Sequence, residues 1–436
     1  MGVLTVLHTS DWHLGRSLYG RKRYDEFDAF LTWLSGIIGS NGVSVLLVAG
    51  DVFDTTAPSN QAQALYYRFL GSIAASGCRH VVIVAGNHDS PSFLDAPRDL
   101  LRALDVHVVG MPSVNPADEV LLLRDAAGQP ELVVCAVPYL RDRDIRQVDA
   151  GEGVADKERK RLEGIEIHYA AVVAEAVRVQ KQLASAVPMV AMGHLFTVGA
   201  RTVEGDGVRE LYVGSLAHVP VSVFPETLSY VALGHLHVPQ RVGGSETVRY
   251  SGSPLPMGFG EAKSEKSVVL AAFRDGEKVP AVTLVPVPRF QELERIRGDW
   301  NVIERRIREL LVLKSSVLLE VIYEGTAVPG DLRERLAALV ADGPLEILRI
   351  RNDRVVDRVL ERMDVEELLD SLMPEEVFRR CLDAHEVPEG AQRDDLALLY
   401  RFALALLEEE HGDDGGGSGD ATRWHNALQS FPGGVA

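Results

Sequence analysis

Along the first 240 residues, short valine-rich runs repeatedly stop at a residue able to bind a metal. VLTVLHTS runs into Asp11, Trp12 and His13, VSVLLVAG into Asp51 to Asp54, and VVIVAG into Asn87, His88 and Asp89. PMVAMG stops at His194 and YVALG at His235, Leu236 and His237, while a sixth run, ELVVCAV, meets Pro138 and Tyr139. Continuous apolar runs of this length, without alternation, mark strands buried on both faces. Helical patterns over 24–38, 60–75 and 157–183 fall between several of them. The expected fold class is α/β: a layered β-sandwich flanked by helices, with its functional groups at the strand ends.

A single His or Asp after a strand is usually a turn residue. Five of six strands ending in Asp, Asn or His do not fit that reading. The donors are Asp11, His13, Asp51, Asn87, His194, His235 and His237, all nitrogen or oxygen. Without thiolates they suit Mn²⁺, Fe²⁺ or Zn²⁺ rather than a structural cysteine–zinc site. Seven donors exceed the needs of one tetrahedral ion but divide well between two ions sharing a carboxylate. On an extended chain, residues two apart point the same way. Asp11 with His13, and His235 with His237, are therefore expected to aim as pairs, whereas Asn87 and His88 point apart. Two ions about 4 Å apart can clamp the attacking and leaving oxygens of a phosphoryl centre.

At 436 residues and 46% hydrophobic content, the chain can bury a large core and is expected to form two or three domains. No apolar run is long enough to span a membrane. The start lacks a basic lead and a cleavage site, so no signal peptide is expected. MGVLTV has Val6 where a myristoylation start needs Ser or Thr. Cys78, Cys135 and Cys381 lack metal or disulfide spacing, which fits a reduced cytoplasm. The net charge of −18 argues against a naked nucleic-acid binder. Residues 1–284 carry 26 basic and 32 acidic side chains against 19 and 31 in the remainder, so the acidity is concentrated in the C-terminal third.

The blocks D-x-H, G-D-x-x-D, G-N-H-D, G-H and G-H-x-H, in this order, resemble the calcineurin-like metallophosphoesterases. Within that superfamily LHTSDWHLGRSLYGRKRYDEF, AGDVFDTTAPS, GNHDSP, YVALGHLHVPQ and YSGSPLPMGFGEAKSEKSVVL resemble the SbcD family of bacterial nuclease subunits, closely to about residue 275 and loosely beyond. The resemblance implies a metal-dependent DNA nuclease working by two-metal hydroxide attack. One ion would take Asp11, His13 and His237, the other Asn87, His194 and His235, with Asp51 between them and Mn²⁺ the expected metal. His88 would stabilise or protonate the leaving oxygen, a task suited to imidazole near neutral pH. Asp54 matches the residue that orients this histidine in related phosphatases. Nuclease relatives carry His there, so it either orients His88 or shapes the DNA path. His8 and His218 are read as structural.

The resemblance places the catalytic domain over 1–280 and a small α+β capping domain over 281–353. The latter reads as strand (VTLVPV), helix, strand (SVLLEVIY), helix and strand (LEILRI). Amphipathic helical spacing at 364–372, 374–384 and 394–409 marks 354–411 as a helical partner-binding segment. The implied partner is an SbcC-like ABC-type ATPase with a coiled coil, around a homodimer of the nuclease subunit within a heterotetramer. Gly-rich 412–436 is expected to be disordered. Arg16, Arg21, Lys22, Arg23, Arg141 and Arg143 are candidate contacts to DNA phosphates, joined by Arg146 and the run KERKR. No G-x-x-x-x-G-K-[ST] stretch occurs, so ATP dependence would come from the partner. The competing function is a stand-alone phosphatase or phosphodiesterase, which would not need a cap and an amphipathic tail.

Overall fold

The computed structural model describes residues 3–74, 76–146, 153–184, 187–197, 219–275, 277–325, 332–341 and 343–352, with short pieces between 378 and 401. The chain begins β1 (Leu4–Thr9), a ribbon of β2 (Ser17–Leu18) and β3 (Arg21–Lys22), α1 (Tyr24–Ser40), β4 (Val45–Ala49), α2 (Asn60–Ala74) and β5 (His80–Val84). Short helices α3 (Pro91–Asp95) and α4 (Arg98–Arg102) lead to β6 (Val106–Val109), β7 (Val120–Arg124), β8 (Pro130–Ala136), α5 (Asp142–Ile145) and α6 (Val154–Lys181). Then come β9 (Met189–His194), β10 (Tyr230–Gly234), β11 (Gln240–Arg241), β12 (Val248–Tyr250), β13 (Ser267–Phe273) and β14 (Ala281–Pro286). The last elements are β15 (Leu293–Gly298), α7 (Trp300–Val312), β16 (Leu318–Tyr323), α8 (Leu332–Val340) and β17 (Glu346–Asn352).

Two six-stranded sheets form the body, ordered β14-β13-β1-β4-β5-β6 and β11-β12-β10-β9-β8-β7. Strands β1, β4, β5 and β6 run parallel, as do β8, β9, β10 and β12. Both faces of these strands are covered, which is why they read as unbroken apolar runs. Val45, Leu47, Val82 and Val84 of the first sheet meet Leu132, Val134, Val190 and Met192 of the second. The outer face of the first sheet packs on α1 and α2 through Phe27, Phe30, Leu34, Tyr66 and Phe69. That of the second packs on α6 through Tyr169, Val172 and Ala176. His8 lies in the layer between the sheets, with Nδ1 3.0 Å from the Tyr230 hydroxyl and Nε2 3.1 Å from the Leu233 carbonyl oxygen. It is structural, as expected; His218 lies outside the described residues.

The chain divides into two compact units, and every expected metal donor falls in the first, which contains Met1–Arg295. VTLVPV, read from sequence as the opening strand of the capping domain, belongs instead to the first sheet. As β14 it pairs antiparallel with β13 from Ser267↔Pro286 to Ala272↔Ala281, a local hairpin that closes the sheet edge. The separate three-stranded sheet has the order β15-β16-β17. The helices expected within 354–411 and the tail 412–436 lie largely or wholly outside the described residues. Among the described residues no helix is long and apolar enough to cross a membrane.

Candidate metal centre

The C-terminal ends of β1, β4, β5, β9 and β10 meet at one rim, and each tip is pinned to another strand. The Asp11 amide donates to the Gly50 carbonyl at 3.0 Å and the His13 amide to the Asp51 carbonyl at 2.9 Å. The His235 amide donates to Asp11 Oδ1 at 2.9 Å, tying the two sheets together. Both D-x-H and H-x-H carry an apolar residue at the centre. Trp12 is buried against Phe30 and Phe69, and Leu236 sits in the core beneath α6. These anchors hold each loop in hydrocarbon while the flanking donors stay at the rim. Asp11, His13, Asp51 and His235 have φ of 53°, 48°, 51° and 105°, a left-handed conformation that non-glycine residues adopt only where surrounding structure enforces it. Gly86 allows a close approach: a Cβ there would collide with the backbone and carboxylate of Asp51.

Two donor clusters result. In one, His13 Nε2 lies 3.2 Å from His237 Nε2, and Asp11, His13 and His237 present ligand atoms within 4.8 Å of one another. In the other, Asn87 Oδ1 lies 3.0 Å from both His194 Nε2 and His235 Nδ1. Asp51 Oδ2 stands between them, 3.5 Å from His13 Nε2 and 3.4 Å from His194 Nε2. The pairing expected for His235 and His237 is therefore corrected. They reach different clusters, His237 beside His13 and His235 beside Asn87, and the chain is not extended at His235.

The protonation pattern calls for cations. His13 Nδ1 faces Asp54 Oδ1 at 3.3 Å and His237 Nδ1 faces Glu261 Oε1 at 3.6 Å. With protons on those nitrogens, the two Nε2 lone pairs would oppose each other across 3.2 Å, an arrangement a divalent ion would relieve. Burial pushes His13 down to about 4 and His235 down to about 3, so both are neutral at pH 7, as ligands must be. Burial alone would raise Asp51, but His194 and His13 hold it well below the usual carboxylate range. Burial would likewise lower His194, yet the Asp51 carboxylate beside it lifts it to about 9, so without an ion a proton takes the cation's place. The donor set thus fits two divalent ions of the Mn²⁺, Fe²⁺ or Zn²⁺ type.

His88 lies beside the first cluster: it presents a ligand atom within 4.8 Å of those of His13 and Asp51, and its ring centroid is 4.8 Å from that of His13. Its amide donates to Asp51 Oδ1 and its Nδ1 donates to the backbone carbonyl of Asp54, each at 2.9 Å. The Asp54 carboxylate faces His13 Nδ1 and accepts from Arg16 Nη1 at 3.1 Å. Residue 54 therefore orients His88 through its backbone and His13 through its side chain. Arg23, expected to contact DNA, is corrected: it is 2% exposed, and its guanidinium bonds Glu26 and the Pro256 carbonyl. Arg21 is ion-paired with Glu346, and Arg146 with Asp142. Arg141 Nη2 lies 3.5 Å from the Asp89 carbonyl oxygen, Lys22 is exposed, and the Arg143 side chain is 75% exposed.

Four supporting residues carry no role that the sequence alone assigns. Asp89 is buried and accepts from the amides of Val52, Phe53 and Gly86, which locks the Asp51 loop to the Asn87 loop. Ser10 Oγ donates to Asp11. Glu261 is buried beside His237 and paired with Lys266, whose Nζ also donates to the His237 carbonyl at 2.8 Å. Glu261 and Lys266 lie in the stretch GFGEAKSEK, but nothing local links them to a histidine 24 residues before Glu261.

A two-sheet sandwich with two nitrogen- and oxygen-donor clusters joined by one carboxylate defines a metal-dependent phosphoesterase. The model of the calcineurin-like phosphoesterase family matches residues 4–239, and that of the Type 5 capsule protein repressor C-terminal domain matches residues 289–386. The chain is 37% identical over 411 residues to the SbcD subunit of nuclease SbcCD from Escherichia coli (strain K12), covering 94% of this chain and 100% of that protein. It is 35% identical over 370 residues to the counterpart from Rhodobacter capsulatus, with 83% and 84% covered. For the counterpart from Bacillus subtilis it is 32% over 277 residues, with 63% and 68% covered. The chain belongs to the calcineurin-like phosphoesterases and, within them, to the SbcD family of nuclease SbcCD subunits.

Proposed function

We propose that the chain is the metal-dependent nuclease subunit of an SbcCD-type complex, hydrolysing DNA phosphodiester bonds at duplex ends, hairpins and single strands in DNA repair, recombination or replication. The observation that carries this reading is the pair of donor clusters joined by Asp51 at the rim of the sandwich. Asp11, His13 and His237 would hold one ion and Asn87, His194 and His235 the other, with Asp51 serving both and Mn²⁺ as the proposed metal. When bound, such ions polarise the phosphoryl oxygen and make water a nucleophile at neutral pH.

The remaining chemistry belongs to the chain. With Nδ1–H committed to the Asp54 carbonyl, His88 protonated on both ring nitrogens turns Nε2–H to the substrate, passes that proton to the leaving oxygen and is left neutral. It is only half-buried, unlike Asp11, His13 and Asp51, which suits a group that meets substrate rather than metal. Asp54 holds the His13 ring in place, and Glu261 does the same for His237. Arg16, Lys22, Arg141 and Arg143 offer the positive charge that phosphate backbone needs. Segment 354–411 docks an SbcC-like ABC-type ATPase at its coiled-coil base, in a cytoplasmic heterotetramer built on a nuclease homodimer.

The test compares the full chain with one ending at Val356, on single-stranded, hairpin and blunt duplex DNA, with Mn²⁺ or Mg²⁺ and with or without the partner. Both chains are expected to cut single strands with Mn²⁺. Only the full chain should co-elute with the ATPase and show ATP-stimulated cleavage of duplex ends. Turnover of small phosphate esters with no DNA cleavage would point instead to a stand-alone phosphatase.

A further inference from the structure

A second group of potential ligands lies at the other end of the first sheet, where β5 and β6 begin. His80 opens β5, His107 is the second residue of β6, and Asp105 ends the turn before β6. The two strands are parallel, with Val81 opposite Val106 and Val82 opposite His107. His80, Asp105 and His107 present ligand atoms within 4.8 Å of one another, and the whole of β5 separates them from Asn87.

The hydrogen bonding leaves this group short of a cation. His80 Nε2 lies 2.8 Å from the Arg124 carbonyl oxygen, which can only accept, so Nε2 carries the proton. His80 Nδ1 is buried without a hydrogen-bond partner and sits 4.0 Å from Asp105 Oδ1. Both ring nitrogens of His107 are also buried without a hydrogen-bond partner. Burial lowers His107, aided by His80 and Arg102, which keeps it neutral and ready to ligate. The neighbouring Glu131 is engaged elsewhere, accepting from Arg79 Nε at 3.2 Å and Nη2 at 2.6 Å. Burial pushes Cys78 up to about 11, so it supplies no thiolate.

We propose that His80 Nδ1, Asp105 and His107 bind one divalent transition-metal ion of the zinc class, separate from the centre at the other rim. Two imidazoles and one carboxylate are a usual three-ligand set for zinc, with water completing the tetrahedron. An ion ~2.1 Å from each donor holds the donors roughly 3.4 Å apart, so the observed 4.0 Å closes with a small side-chain adjustment. Asp105, whose side chain is 68% exposed, is free to make it. The ion clasps the starts of β5 and β6 and braces the strand whose far end carries Asn87 and His88.

The test is the number of Zn²⁺ ions held per full-length chain, measured by equilibrium dialysis and elemental analysis for wild type, His107→Gln and Asp105→Asn. Asp105 has φ 55°, which asparagine tolerates, so the second variant keeps the turn. His107→Gln should hold one Zn²⁺ fewer than wild type. Asp105→Asn should bind that ion at least about tenfold more weakly. Turnover of bis(p-nitrophenyl) phosphate with saturating Mn²⁺ should be unchanged in both, showing that the first centre and the fold are intact. A wild-type zinc count and affinity in both variants overturns the proposal, whatever the turnover.

Discussion

Replacing Asp54 with alanine separates two roles that one residue could fill. Its carboxylate lies 3.3 Å from His13 Nδ1 and 3.1 Å from Arg16 Nη1, whereas the contact to His88 Nδ1 comes from its backbone carbonyl. Burial would raise the Asp54 carboxyl, but His13 and Arg16 hold it below its ordinary value, so it is ionised at any working pH. Losing the partner that orients a ligating imidazole typically costs ~10–100-fold in metal affinity. That is about 1.4–2.8 kcal/mol. Only the ion proposed for Asp11, His13 and His237 should be affected, since Asn87, His194 and His235 gather around one another on the far side of Asp51. Isothermal titration with Mn²⁺ should therefore show one of two binding steps weakened. Turnover at saturating Mn²⁺ should stay near wild type, because alanine keeps the carbonyl that orients the His88 ring. Asp54→Asn, which retains an acceptor but no charge, should fall between. A hundredfold loss of turnover at saturating metal, with both binding steps intact, would refute the assignment and return the carboxylate to His88 or the substrate.

His88→Ala should leave the metal content by elemental analysis near wild type while lowering turnover by roughly a hundredfold or more, the scale of a lost acid–base group; loss of an ion would contradict its assignment to the substrate. Asp51→Asn should weaken both binding steps in the same titration, since its Oδ2 stands between His13 and His194; a change in one step alone would remove Asp51 from the bridge. Burial pushes the Cys135 thiol up to about 12 and that of Cys78 up to about 11. Both therefore stay protonated through pH 8 and should resist iodoacetamide in the native chain until denaturant is added, as read by mass spectrometry.

Much of the fold is legible because the signals are local. A strand buried on both faces announces itself within a few residues, as VLLVA does in β4, and three helical patterns end within a few residues of α1, α2 and α6. The donors are legible for a related reason: a carboxylate, amide or imidazole directly after such a run has few structural excuses when the pattern recurs five times. VTLVPV shows the limit. Its composition marks a strand, but its sheet depends on pairing with β13, a matter of which edge is open when the hairpin closes.

Site residues divide in the same way. The chain by itself determined which side chains are available: seven donors, an imidazole next to one of them, and apolar anchors at the centres of D-x-H and H-x-H. Tertiary structure alone decided their partners. His13 meets His237 across 224 positions, His194 meets Asn87 across 107, and Glu261 reaches the His237 ring only once β13 is folded against β1. It also sent His235 and His237 to different clusters, with the chain not extended at His235, and withdrew Arg23 from solvent. Backbone dihedrals at a strand tip, and the burial of a long cationic side chain, are set by packing against distant segments, and local composition carries no record of them.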